Sequence, residues 1–171
     1  MTTELSLAEL ESSTDRDLGT SEWETIDQRQ IDLFAEATHD HQWIHVDPEA
    51  AAQGPFGTTV AHGYLTLSML PYFVSQVLNV TDVRMGINYG TEKIRFTAPV
   101  PVGSQVRLKA NLRDSERRGE GLLYRLGIEV EIKDSEKPAL VGEVLYLVFQ
   151  NDADGTPVAM MSSTSAATIS R

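Results

Sequence analysis

Gly63-Tyr64-Leu65-Thr66-Leu67-Ser68-Met69-Leu70-Pro71-Tyr72-Phe73-Val74-Ser75-Gln76-Val77-Leu78 places Leu65, Leu67, Met69, Leu70, Phe73, Val74, Val77 and Leu78 around nearly every side of one helix. A helix that is apolar all round is buried all round, so the rest of the chain has to wrap it. Pro71 removes a backbone N–H from that helix and predicts a kink or a break near Leu67.

The wrapping material lies downstream and reads as sheet. Tyr124, Leu126, Ile128, Val130 and Ile132 alternate with Arg125, Gly127, Glu129, Glu131 and Lys133, the period of a strand with one buried and one wet face. Val106, Leu108, Ala110 and Leu112 alternate likewise, and Leu140 to Phe149 is apolar on both faces, as a central strand is. Val83 to Tyr89 and Glu92 to Ala98 supply two more strands. Turns such as Arg118-Gly119-Glu120-Gly121 join long antiparallel neighbours. The expected class is α+β: a curved antiparallel sheet wrapped around a central apolar helix.

Upstream, Asp27 caps a helix with Ile31, Phe34 and Ala35 on its buried face, and Gln30 stands where a capping box needs it. That helix ends by His39 or Asp40. Asp47-Pro48-Glu49 starts a short second helix through Ala52, which makes Asp40 to Val46 an inter-helix loop. Residues 1–21 and 151–171, rich in Ser, Thr, Ala and Asp with weak periodicity, read as mobile tails around a single domain over 22–150.

The chain has 171 residues and a formal charge of −11, from 25 acidic and 14 basic side chains. Such a field repels nucleic acid and anionic membranes, and a polyanionic ligand needs a local basic pocket. The absence of cysteine removes disulfides and thiol chemistry and suits a reducing compartment. Residues 1–21 lack the basic start and apolar run of a signal peptide, and no apolar stretch approaches the roughly 20 residues of a membrane span, so the expected location is the cytoplasm.

All four histidines fall between His39 and His62, with Asp40 among them. In His39-Asp40-His41-Gln42-Trp43-Ile44-His45 a loop brings the acid and the last histidine within reach of one cavity, which suits acid–base chemistry. The alternative is that Asp40 caps a helix end or turn and His45 fills a polar slot in the core, both common roles. As metal ligands, three imidazoles on so short a loop match no standard zinc spacing, and no Gly-x-Ser-x-Gly elbow supports a serine triad.

Asp40-x-x-x-x-His45-Val46-Asp47-Pro48, then Phe56-Gly57, then Ala61-His62-Gly63 resembles the signature of the MaoC-like, or (R)-specific enoyl-CoA hydratase, family. The similarity runs from about Asp27 through Arg107, includes Asn88-Tyr89-Gly90, Arg95-Phe96 and Ala98-Pro99-Val100-Pro101-Val102-Gly103, and is closest to the NodN-like branch. The chain departs from many members in having His39 where they have Gly, and Gln42 and Trp43 where they have Asn-Pro.

The resemblance implies a hot-dog fold, a homodimer, and hydration of a trans-2-enoyl thioester on CoA or an acyl carrier, with no cofactor and no metal. Asp40 and His45 then handle one water, and the Gly63 amide at a helix N-terminus polarises the thioester oxygen. Which of the two is the formal base stays open. Gln42, Trp43, His62 and Arg95 are the candidate substrate contacts, and Lys93 and Arg107 are further cations for a carrier phosphate. The alternatives are a hot-dog thioesterase, in which water attacks the carbonyl carbon, and a non-catalytic acyl-binding subunit.

Overall fold

The computed structural model describes residues 2–151. In chain order the first elements are β1 (Thr3–Leu5), α1 (Leu7–Ser12), β2 (Arg16–Thr20), β3 (Glu24–Thr25), α2 (Gln28–Thr38), α3 (Trp43–Val46) and α4 (Pro48–Ala52). There follow α5 (Gly63–Ser68), α6 (Leu70–Val77), β4 (Leu78–Val80), β5 (Val83–Phe96), β6 (Gln105–Arg118), β7 (Gly121–Ile132) and β8 (Leu140–Gln150).

The main sheet is antiparallel in the order β2-β6-β7-β8-β5, with β3 also pairing β6. Its apolar positions face α6: Leu70, Phe73, Val74 and Val77 share one buried cluster with Leu108, Leu112, Leu126 and Val130. The strand that is apolar on both faces, β8, lies between β7 and β5, where both its edges and its inner face are covered. The α+β reading therefore holds: alternation in the strands and one apolar helix suffice to place sheet against helix.

The helix itself differs from its sequence reading. It is two pieces, α5 and α6, meeting at Met69, and Pro71 lies in the first turn of α6, where its missing N–H has no intrahelical acceptor to lose. Nor is it buried on every side. Tyr64, Ser68, Tyr72 and Ser75 recur at intervals of three or four and form one exposed stripe. Tyrosine and serine at helical spacing were the signal of a wet face, masked by the apolar count.

The segments 83–89 and 92–98, read as two strands, form the single 14-residue β5. Its ladder with β8 shifts register between Asn88 and Gly90 and again between Glu92 and Arg95, beside Lys93 in the left-handed region at φ 54°. Bulges rather than a turn absorb the break in alternation. Among the described residues β5 pairs only with β8, so its other edge is open and Met85, Ile87, Tyr89 and Phe96 are exposed.

The N-terminal segment expected as a mobile tail is folded. Ser6 and Glu9 close a capping box on α1, β1 runs parallel to β4, and the Leu7 N–H donates to the Asp82 carboxylate at 2.6 Å. Leu5, Leu7, Leu10 and Leu18 are buried in the main core. Each short element buries only one or two residues, which leaves too little periodicity to read. Of the second expected tail, residues 152–171 lie outside the described residues.

Candidate active site

The acid of the site stands just past the end of a helix. The capping box of Asp27 and Gln30 starts α2, and His39 ends it in the left-handed conformation at φ 60° and ψ 23°. Glycine takes that geometry without strain, and His39 is one of the few non-glycine residues that hold it here. Asp40 follows. The expected loop from Asp40 to Val46 instead holds one helical turn, α3, closed by the bond from the Asp47 N–H to the Trp43 carbonyl at 3.0 Å. That turn points His45 inward, where its Nδ1 lies 2.6 Å from the Val60 carbonyl. A carbonyl only accepts, so Nδ1 carries the proton and Nε2 keeps its lone pair.

Asp40, His45 and His62 each place one side-chain N or O atom within 4.8 Å of the others. The His45 and His62 rings stack with centroids 3.7 Å apart at 26°. His62 Nε2 lies 2.9 Å from the Asp40 main-chain carbonyl and 4.0 Å from Asp40 Oδ2. The Nε2 that His62 turns toward Asp40 carries the proton it donates to that carbonyl, and this works against joint coordination of a metal. The histidines weighed as ligands with His45, His39 and His41, are exposed and lie outside this group.

Burial pushes the His45 pKa below its ordinary value of 6.5, and the neighbouring His62 adds to the effect against the Val60 hydrogen bond and the Asp40 charge. The imidazole is therefore neutral at pH 7 and able to accept a proton. Between 6.5 and the lower folded value the unfolded chain binds a proton here that the folded chain refuses. Stability from this group is thus complete above pH 6.5 and falls as the pH drops through that window. NMR titration of the His45 ring is expected to give a midpoint below 6.5; a midpoint above it would contradict the buried, neutral imidazole.

The three side chains open onto a cavity of about 420 Å³ lined also by Phe56, Gly63, Tyr64, Thr66, Phe96 and Val100. Of the residues expected at the site, Asp40, His45, His62 and Gly63 are in its wall. Gln42, Trp43 and Arg95 are not. Trp43 instead packs on the next loop, with ring atoms 2.8 Å from where a Cβ on Gly54 would stand, so its bulk is taken up by that glycine. Arg95 is exposed and donates to the Ile94 carbonyl. Arg107 pairs with Glu131 and stacks over Trp23, while Lys93 reaches Glu143.

Two features of the wall were missed. Phe96 lies over Gly63, its ring 2.8 Å from where a Cβ at that position would be, and Thr66 is buried with its hydroxyl unbonded among the described residues. Thr66 stands three residues after Gly63 on α5, a spacing that places the two on one face. Phe96 stands among the residues that carry the resemblance, but its place over Gly63 has no local signal, because it reaches the helix from the far end of β5.

The chain is 50% identical over 139 residues to the 3-hydroxyacyl-thioester dehydratase Z of Mycobacterium tuberculosis, covering 81% of this chain and 92% of that protein. It is 45% identical over 157 residues to the nodulation protein N of Rhizobium leguminosarum bv. viciae, covering 90% and 97%. The unliganded R-hydratase PhaJ1 from Pseudomonas aeruginosa superposes with a TM-score of 0.67 at 23% identity, over 84% of this chain and 85% of that one, which shows the hot-dog fold. The profile of the MaoC-like domain matches residues 9–131, and with most of the chain covered by that match this protein belongs to the MaoC-like family.

Proposed function

We propose that this chain is a hydro-lyase, an (R)-specific enoyl-CoA hydratase or 3-hydroxyacyl-thioester dehydratase, which adds water to trans-2-enoyl thioesters or removes it from the hydroxy product. The observation that carries the reading is the Asp40 carboxylate within 4.8 Å of a ring nitrogen of His45, both residues in the wall of one cavity. The half-identical thioester dehydratase supports it.

A water held between carboxylate and imidazole gives one proton to the pair as its oxygen bonds to the β carbon. The electrons of the double bond move toward the thioester oxygen, and the pair returns the proton to the α carbon on the same face. Gly63 and Tyr64, in the first turn of α5, have N–H groups with no intrahelical acceptor, and the Gly63 amide receives the developing oxyanion. Arg95, next in sequence to the wall residue Phe96, contacts the carrier phosphate; Gln42 and Trp43 have no part in the reacting centre.

Crotonyl-CoA mixed with the purified protein tests the reaction class. Enoyl absorbance is expected to fall with no release of free thiol. Thiol release would assign a thioesterase, and neither signal would leave a non-catalytic acyl-binding subunit.

The open edge of β5, with Met85, Ile87 and Tyr89 exposed along it, supports a homodimer formed by edge-to-edge pairing of two copies. A single-chain mass in sedimentation equilibrium would overturn that assembly. No described helix is long and apolar enough to cross a membrane, and we place the protein in the cytoplasm on its acidic, cysteine-free composition.

A further inference from the structure

On the reading that Asp40 and His45 share one water, we infer that His62 is the residue that positions this pair: its Nε2–H clamps the Asp40 main chain while its ring backs His45. His62 stands at the N-cap of α5 but makes no side-chain bond to its own helix. Its Nε2 donates instead to the Asp40 carbonyl, 22 residues earlier, at 2.9 Å. Its ring lies against His45 at 3.7 Å on one side and Phe34 at 5.1 Å on the other. One side chain therefore joins the end of α2, the turn of α3 and the start of α5.

Little else holds Asp40 in place. It follows a left-handed residue, its side chain is 56% exposed, and among the described residues its carboxylate accepts only a long 3.4 Å bond from the Gln42 N–H besides the approach of His62. The clamp on the main chain is what keeps the carboxylate within 4.8 Å of the His45 ring nitrogen. Packing alone does not call for histidine here. His62 is 3% exposed and its Nδ1 is buried without a hydrogen-bond partner among the described residues, a cost that a phenylalanine or leucine in the same slot would avoid. The donor at Nε2 is what the imidazole supplies in exchange.

Two variants of the full chain, assayed with crotonyl-CoA, separate clamp from filler. His62→Phe keeps the ring and loses the donor; kcat is expected to fall about 10- to 100-fold, the scale of a small misplacement, with KM within about threefold. His62→Gln puts an amide N–H close to the Nε2 position and is expected to restore kcat to within about fivefold of the parent. A parental kcat in His62→Phe overturns the inference. So does a loss in His62→Gln as deep as in His62→Phe, which would mean packing only. Should His62→Phe not fold, the ring ¹⁵N resonances of the unaltered protein decide: a proton on Nε2 with Nδ1 bare supports the clamp, and the opposite tautomer overturns it. Failure of the hydration reading looks different, because Asp40→Asn and His45→Asn would then be as active as the parent whatever His62 does.

Discussion

Asp40→Asn and His45→Asn are each expected to lower kcat/KM for enoyl hydration at least about a hundredfold, the lower end of what a positioned acid or base contributes. Both variants should fold. Asp40 is half exposed, and the long 3.4 Å bond its side chain accepts from the Gln42 N–H is open to an amide oxygen as well, so the amide costs the fold little. At position 45 the Asn amide nitrogen overlaps the place of Nδ1 and continues the bond to the Val60 carbonyl, while the basic Nε2 disappears. The double variant sharpens the test. Two groups that share one water act as a unit, and removing both is expected to cost little more than removing one. Losses that multiply would mean that the carboxylate and the imidazole act on different steps, and near-parental activity in either single variant would end the assignment of the pair.

Much of this site was legible because its chemistry is local in sequence. Asp40 and His45 are five residues apart, and the caps around them, Asp27 with Gln30 and Asp47 with Pro48, can be read one residue at a time. The strands were legible for the same reason, since alternation in β7 is a property of neighbours. What escaped depended on distant partners. The tautomer of His45 is set by a carbonyl 15 residues away, and the clamp on Asp40 comes from a histidine 22 residues away. Phe96 covers Gly63 only because β5 ends beside α5. Trp43, readable from the sequence either as a substrate contact or as a core aromatic, packs on a glycine of the following loop outside the pocket wall, a placement that depends on that distant residue.

Leu10→Ala is expected to cost about 2–5 kcal/mol, as for other leucines removed from a core. In a domain of this size that is a fall of roughly 5–15 °C in Tm. The prediction turns on whether the N-terminal segment belongs to the core or trails from it. Leu10 is fully buried, and α1 rests on β6 and β7, so truncation would open a void against the main sheet. A mobile tail would give a change within about 0.5 kcal/mol, the range for exposed positions. Leu33→Ala supplies that baseline in the same chain, since Leu33 is 58% exposed on α2. Leu10→Asp goes further, because a carboxylate in that slot has neither water nor partner. Unfolding of the aspartate variant, with Leu33→Ala unchanged, would make the first dozen residues part of the folding unit that carries Asp40 and His45. Equal melting of all three would return them to solution.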